Sequence, residues 1–368
     1  MEPKGARAMW PDRRLTDLLG IEHPILQAPM LGSCTPELAA AVTGAGGLGA
    51  HACGTLPADE VRARARAVRA LTNGAYNLNL FVLPANAAPA QPGPQARAVL
   101  EAAYARAGLE LADGDLPPIP AAPDPEVIDA LVETAPPVVS FHFGLPDAVA
   151  MDRLRAAGIR IFASATCVAE ALRLERAGVD AVIAQGWEAG GHRGSFTPGL
   201  PADGVATMAL VPQIADAVSV PVIAAGGIAD ARGIAAALAL GASGVQMGTA
   251  FLRCPEAATD PRRRARLAGA DDSGTTVTDA VSGRSARGAR SAYAADMAPL
   301  AGTLAPFPAM YALLQPLLEA GAGEMDAYAS FDLFGQAAAL GGEEPAADLV
   351  ARLARETRER LGWLGHAT

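Results

Sequence analysis

The feature that most constrains the fold of this chain is a repeating unit: a short apolar run, a glycine-rich or polar turn, and a helical pattern. Eight apolar runs predict strands, at Pro24–Ala28, Gly47–Ala52, Tyr76–Val82, Pro137–His142, Arg160–Ala165, Asp180–Gln185, Pro221–Ala225 and Gly244–Gly248. Nearly continuous apolar strands that alternate with helices favour a parallel sheet covered by helices. Eight such units close into a (β/α)8 TIM barrel, an α/β fold, and a doubly wound open sheet is the alternative.

Helical patterns lie between these strands and carry their own start and stop signals. They predict helices at Pro36–Thr43, Ala58–Leu71, Asp147–Ala157, Val168–Ala177, Met208–Val218 and Ala231–Leu240. Thr35 before Pro36 is typical of a helix start, with an N-cap residue followed by proline. Gly158, Gly178 and Gly241 each end a helix just before a strand, as glycine does at a helix C-terminus.

Two regions interrupt the repeat and predict the domain organisation. Residues 12–254 would form the barrel, with a Pro/Ala-rich insertion at about 84–136 that contains a helix near Ala96–Ala107. Residues 255–335 show helical patterns and no clear strand, so we expect a helical lid that covers the substrate at the barrel mouth. Residues 336–368 would contribute a C-terminal helix that packs back on the barrel.

Charge and residue usage exclude several classes of function. The net charge of −10 argues against nucleic acid and anionic membranes as partners. We expect no membrane-spanning helix and no secretory signal, which favours a cytoplasmic protein. The four cysteines are scattered without metal-ligand spacing, so no metal site is expected. Lys4 is the only lysine, which argues against catalysis through a lysine Schiff base or pyridoxal phosphate.

Glycine turns after the last two predicted strands indicate a phosphate site. Gly226 and Gly227 follow the seventh strand, and Gly248 and Thr249 end the eighth. Backbone N–H groups at such turns bind phosphate, and barrels commonly place a phosphate group at these two loops. Two ordinary tight turns are the alternative interpretation.

A second glycine pattern, GAGGLG at residues 44–49, matches the GxGxxG fingerprint of dinucleotide-binding folds. That fingerprint follows a strand and opens a helix. Here the predicted order is reversed, so we interpret the glycines as a helix end with close packing against the next strand.

Two of the five histidines lie where strands end and are candidates for proton transfer. His142 ends the fourth predicted strand, and His192 follows the sixth by a few residues. Imidazole titrates near neutral pH, so either ring could move a proton. His23 and His51 are interpreted as structural, and His366 lies in the tail.

The motifs around these residues resemble those of the nitronate monooxygenases, formerly called 2-nitropropane dioxygenases. The similar segments are QAPM (27–30), SFHFG (140–144), AQGWEAGGHRG (184–194) and PVIAAGGI (221–228), and the similarity extends from about Leu15 to Ala339. The histidine of SFHFG is similar to that of the class I branch. The resemblance implies a (β/α)8 barrel that binds FMN non-covalently beside a helical substrate domain.

By position, the resemblance implies a set of site residues. His192 would be the catalytic histidine, with His142 as its neighbour, and Gly190 and Gly191 would let the backbone approach the flavin. The implied cofactor contacts are Ala28, Pro29, Met30, Asn79, Gln185, Gly190, Gly191, Gly226, Gly227, Gln246, Met247, Gly248, Thr249 and Gln336.

Substrate contacts are implied at Tyr311 and at Phe307, where the family often has a tyrosine. A basic residue that the family carries one turn further on is Gln315 here, so Arg193 or an arginine of the lid is the expected source of positive charge.

The implied reaction is the oxidation of an alkyl nitronate, such as propionate 3-nitronate, or of a nitroalkane, by O2 to a carbonyl compound and nitrite. His192 would either accept the α-proton or hold the negative charge of the nitronate. The alternatives are an NAD(P)H-dependent FMN reductase that acts on quinones or enoyl thioesters, and a non-catalytic phosphate-ligand-binding barrel. The implied partners are a small nitronate and O2, with the protein a monomer or homodimer.

Overall fold

A computed structural model of the protein describes residues 10–83, 91–112, 114, 121–196, 204–320 and 328–365. Its strands are β1 (Ile25–Gln27), β2 (Gly49–Gly54), β3 (Tyr76–Phe81), β4 (Val138–His142), β5 (Arg160–Ala165), β6 (Ala181–Gln185), β7 (Gly191–His192), β8 (Val222–Ala225), β9 (Gly244–Met247), β10 (Thr275–Thr278) and β11 (Ala286–Ala289). Eight of them form a parallel sheet in the order β1-β9-β8-β6-β5-β4-β3-β2. A parallel bridge between Leu26 and Leu48 brings the two edges together. The predicted (β/α)8 barrel is therefore confirmed.

Helices cover the outside of this barrel. They are α1 (Arg14–Leu19), α2 (Pro36–Gly44), α3 (Ala58–Leu71), α4 (Pro94–Arg106), α5 (Pro125–Thr134), α6 (Ala148–Ala156), α7 (Val168–Arg176), α8 (Thr207–Ala217), α9 (Ala231–Ala239), α10 (Pro261–Ala268), α11 (Ala292–Met297), α12 (Ala309–Ala320) and α13 (Ala346–Gly365). The six helices predicted between the barrel strands occur within one residue of the expected bounds. Thr35 caps α2 by accepting a hydrogen bond from the Leu38 N–H group.

The barrel has an apolar interior at its N-terminal end and an apolar outer layer. Leu26, Phe162 and Ile223 pack inside it, together with Leu15 of α1. The outer layer joins the strands to the surrounding helices and includes Leu349–Ala354 of α13, which packs against α2 and α9. Because this end is filled by side chains, the open space lies at the C-terminal ends of the strands, where barrels carry their sites.

A second apolar core lies outside the barrel and joins segments that are far apart in sequence. Leu100 of α4 packs in this core with Met297 of α11 and Leu314 of α12. The Tyr104 hydroxyl of α4 also donates a hydrogen bond to the Leu313 carbonyl, at 2.7 Å. The helix of the insertion therefore packs with the helices of the region that follows the barrel.

The prediction that residues 255–335 contain no strand is wrong. β10 pairs with β11, and β11 pairs with β7, in an antiparallel three-stranded sheet. The β11 sequence, ARGA, has no apolar alternation that would mark it as a strand. Its partner β7 comes from the loop after β6, and this pairing places Ala286 opposite His192.

Some sequence predictions fall outside the described residues. These are Lys4, His366 and the Pro-rich segments 84–90 and 115–120 of the insertion. In the part of the chain that the structure describes, no helix has the length and apolar character needed to span a bilayer.

The GxGxxG segment lies in the reversed context that the sequence predicts. It runs from the end of α2 into the start of β2. A Cβ atom on Gly49 would lie 1.9 Å from the Ala39 carbonyl oxygen of α2. Gly49 therefore allows close helix–strand contact and is not part of a dinucleotide site.

Replacing Gly49 with alanine is expected to destabilise the protein by about 2 kcal/mol or more, because the added methyl group meets backbone that cannot rotate away. Denaturant unfolding measures the change. Gly44→Ala is the matched control, because a Cβ atom there meets nothing within 4 Å, and it should leave stability unchanged or slightly higher. Equal stability of the two variants would contradict the packing argument.

Candidate active site

A cavity of about 420 Å³ opens at the C-terminal ends of the barrel strands. Its size is typical of a site for a small molecule or cofactor. Most of the residues predicted for the site line it: Ala28, Pro29, Met30, Asn79, His142, Gln185, Gly190, Gly191, His192, Gly226, Gly227, Gln246, Gly248, Thr249, Phe307 and Tyr311. The fold therefore brings the separate sequence motifs to a single place.

His192 lies among four phenyl rings, which we call the aromatic cage: Phe81, Phe143, Phe307 and Phe331. Their ring centroids lie 5.9, 5.8, 5.2 and 6.0 Å from that of His192. The rings come from β3, the turn after β4 and two segments of the lid region. Because the cage replaces water around the imidazole with hydrocarbon, it disfavours the charged form of His192.

Ser282 determines which nitrogen of His192 carries the proton. The Ser282 hydroxyl lies 3.1 Å from the Arg284 carbonyl oxygen and 2.9 Å from His192 Nε2. The carbonyl can only accept, so the single hydroxyl hydrogen goes to it, and Nε2–H of a neutral His192 donates to the hydroxyl oxygen. Nδ1 of His192 is then left with an available lone pair.

His142 uses both ring nitrogens within the protein. Its Nε2 lies 3.0 Å from the His192 carbonyl oxygen, which can only accept, so Nε2 carries hydrogen. Its Nδ1 then accepts from the Ser164 hydroxyl at 2.9 Å. His142 thus holds the backbone of His192, and neither ring nitrogen is left for a substrate.

Gln185 holds the same loop from the end of β6. Its Nε2 donates to the His192 carbonyl at 2.9 Å, and its Oε1 accepts from the Gly194 N–H group at 2.7 Å. The His192 carbonyl therefore accepts from two side chains. Gln185 also lines the cavity, but most of its hydrogen-bonding capacity serves the loop.

Both histidines are held in the neutral form. Burial is the main cause that lowers the pKa of His192 to about 3, and the neighbouring His142 and Arg284 act in the same direction. Burial lowers the pKa of His142 to about 4, with Arg284 and Arg193 acting in the same direction. At neutral pH, His192 is therefore available as a proton acceptor rather than as an imidazolium.

The glycine turns after β8 and β9 form a cradle of backbone groups. Gly226 and Gly227 have φ angles of 105° and 71°, and a Cβ atom on Gly226 would lie 2.8 Å from the Ala189 nitrogen. Within the described residues, the N–H groups of Gly227 and Thr249 have no protein acceptor. These donors fit a phosphate group. The start of α9 contributes less, because Asp230 already caps it.

Arg263 also lines the cavity, near the turn after β1, and sequence reasoning did not select it as a site residue. Its terminal nitrogens donate to the Ser33 hydroxyl and the Leu333 carbonyl, and its buried Nε has no hydrogen-bond partner in the described chain. An unsatisfied cationic donor at this position fits an anionic or carbonyl-bearing cofactor.

Three predicted contacts do not line the cavity. Met247 packs in the outer layer of the barrel, because successive strand residues face opposite sides and Gln246 takes the inner side. The side chain of Gln336 is exposed, and Gly335 lines the cavity instead. Arg193 lies over the Trp187 ring at 5.3 Å and donates to the Gly186 carbonyl.

Gly190 has a different steric role from the one expected. A Cβ atom on it would lie 2.4 Å from the Gly335 nitrogen, so it admits the chain segment that includes Phe334. Gly191 has a φ angle of 82° with no atom near its Cβ position, so its backbone conformation is what favours glycine.

The site includes further residues that sequence reasoning missed. Phe81 follows Asn77 and Asn79 at alternate positions of β3, so strand periodicity could have placed it on the inner face. Ser282 and Phe331 lie in segments without such a period, and no local signal indicates them.

Comparison with known proteins identifies the family of this chain. A sequence model of the nitronate monooxygenase family matches residues 12–356. The chain belongs to the nitronate monooxygenase family. It is therefore an enzyme, a flavin-dependent oxidoreductase by family, as the motifs in its sequence predict.

Individual relatives cover nearly the whole chain. The nitronate monooxygenase of Pseudomonas aeruginosa is 44% identical over 94% of this chain and 99% of its own. That of Paraburkholderia phytofirmans is 43% identical over 95% of this chain and 96% of its own. A crystal structure of nitroalkane oxidase from Streptomyces ansochromogenes is 36% identical, with a TM-score of 0.83 over 95% of this chain and 99% of that one.

The low pKa values of His142 and His192 predict that the folding stability of this protein falls at acidic pH. An unfolded histidine has a pKa of about 6.5, so below that pH the unfolded chain binds protons that the folded chain does not. Stability is then complete above about pH 6.5 and falls by about 1 kcal/mol per histidine between pH 6.5 and 5.5. Denaturant unfolding at pH 7 and 5.5 measures the loss. His142→Gln should lose less free energy of unfolding between pH 7 and 5.5 than the wild type does. Equal losses would contradict a neutral, buried His142.

Proposed function

We propose that this protein oxidises alkyl nitronates with bound FMN, using O2 and releasing a carbonyl compound and nitrite. The observation that carries the proposal is a neutral histidine with one available nitrogen, in an apolar cage at a cavity that also has a backbone phosphate cradle. Membership of the nitronate monooxygenase family supports the reaction class.

FMN fits the residues that line the cavity. Its phosphate would lie at the N–H groups of Gly227 and Thr249, and its ring system would lie along Met30 and Gln246. Nε of Arg263 would face the polar atoms of the flavin ring. Because the chain has a single lysine, Lys4, an arginine would supply the positive charge beside the ring. When bound, FMN supplies the redox chemistry, and the protein supplies position, charge and exclusion of water.

His192 is the residue that we assign to the substrate. Its Nδ1 would accept a hydrogen bond or a proton, including the α-proton of a neutral nitroalkane. A neutral imidazole favours proton acceptance over charge stabilisation, which are the two roles that the sequence leaves open. We assign His142 to positioning, because its hydrogen bonds hold the His192 backbone. Phe307 and Tyr311 would contact the substrate from the lid side.

The purified protein is expected to contain FMN and to consume O2 when a nitronate is added. Its absorption spectrum and an oxygen electrode measure the two results. His192→Ala should retain the flavin and lose about 10²- to 10⁴-fold in kcat/KM with a nitroalkane, the usual contribution of a positioned base. Protein without flavin, or full activity of this variant, would refute the proposal. Rapid flavin bleaching by NAD(P)H without O2 would favour the reductase alternative.

Ser282→Ala is expected to lower kcat about tenfold and to leave KM nearly unchanged. Without the hydroxyl, Nε2–H loses its acceptor and the two ring tautomers of His192 become closer in energy. Steady-state kinetics measure both constants, and Ser282→Thr should restore kcat because it keeps the hydroxyl.

Ser243→Ala is the matched control for Ser282→Ala. It removes a buried hydroxyl that contacts Asp12 and Arg14 rather than a residue that lines the cavity, so kcat should stay unchanged. A fall in kcat for Ser282→Ala that Ser282→Thr does not reverse would indicate a packing defect instead of a tautomer effect.

A further inference from the structure

Three rings of the aromatic cage, those of Phe81, Phe307 and Phe331, line the cavity beside His192 and form an apolar wall, and Phe143 packs against this wall without lining the cavity. Phe81, Phe143 and Phe307 also contact one another, with centroid distances of 4.9 to 6.1 Å. Behind them, Leu83 and Ala122 continue the same apolar cluster. Tyr311 extends the wall outward, with its ring 5.5 Å from that of Phe331.

Two nearby arginines, Arg284 and Arg193, do not line the cavity. Arg284 lies over the Phe143 ring at 3.8 Å, does not line the cavity, and donates to the Ser195 carbonyl. Arg193 is bound to the loop around Trp187. Among the described cavity-lining residues, Arg263 has the one charged side chain, and its partners Ser33 and Leu333 lie outside the cage.

We propose that the substrates of this site are nitronates whose organic part is uncharged and apolar. The nitronate group would lie at His192, and the alkyl chain would contact the aromatic cage. Among the described residues of this wall, the phenyl rings offer a carboxylate at the far end of the chain neither a cation nor a hydrogen-bond donor, and the Tyr311 hydroxyl at the outer edge is an uncharged donor. Burying a carboxylate there without a cation is costly. This inference depends on the proposed function and specifies its substrate class.

The test compares two nitronates of the same size and branching. One is the nitronate of 1-nitro-3-methylbutane, and the other is propionate 3-nitronate, in which a carboxylate replaces the terminal isopropyl group. The wild-type protein with its flavin is expected to show about 100-fold higher kcat/KM for the uncharged nitronate. Oxygen uptake and nitrite release measure both rates.

A cation placed in the wall should reduce this preference. Phe331→Lys is expected to shift the ratio at least about tenfold towards the carboxylate, because the new ammonium group pairs with it. Tyr311→Lys provides the same charge at a more exposed position if Phe331→Lys does not fold. Leu71→Lys, at the exposed end of α3 and far from the cavity, adds an equal charge and should leave the ratio unchanged.

The outcomes separate this inference from the proposed function. Oxidation of both nitronates at similar kcat/KM, or a preference for the carboxylate, overturns the apolar substrate class and leaves nitronate oxidation intact. Oxidation of neither nitronate by flavin-loaded protein overturns the function and the substrate class together. The apolar substrate class would also be overturned if Leu71→Lys changed the ratio of the two kcat/KM values as much as Phe331→Lys does. The change would then come from net charge and not from the wall.

Discussion

The arrangement of this site depends on one carbonyl group, that of His192. It accepts hydrogen bonds from Gln185 and His142, at the ends of two barrel strands. The pairing of β7 with β11 fixes the same residue from the lid side. A side chain on a loop is normally mobile, but here the rigid barrel determines the backbone position of His192 and leaves only the ring orientation to be set by Ser282.

The electrostatics of the site follow from the same arrangement. Arg193 and Arg284 lie near the two histidines, and each donates to a backbone carbonyl, Arg193 to that of Gly186 and Arg284 to that of Ser195. Their positive charge and the surrounding hydrocarbon both disfavour protonation of the imidazoles. His192 is therefore a weakly basic, neutral histidine that lies near two arginines, and neither arginine lines the cavity.

The barrel was predictable from sequence because each strand buries an apolar run, and the positions of His142 and His192 followed from strand ends alone. The glycine turns after β8 and β9 were predictable for the same reason. Met247 was predicted to line the site because all residues of its motif were assigned together. In a strand, successive side chains face opposite sides, so Gln246 faces the cavity and Met247 faces the outer layer. Arg193 and Gln336 could not be placed, since their orientation depends on Trp187 and on the contact of Gly335 with Gly190, which are remote in sequence. β11 was missed because its partner strand lies in another motif.

The core that joins α4, α11 and α12 can change in sequence separately from the barrel. This core shares none of its buried residues with the outer layer of the barrel. Substitutions within this second core can therefore accumulate without loosening the packing of the barrel strands. The two cores can vary separately, although the segments that build them alternate along a single chain.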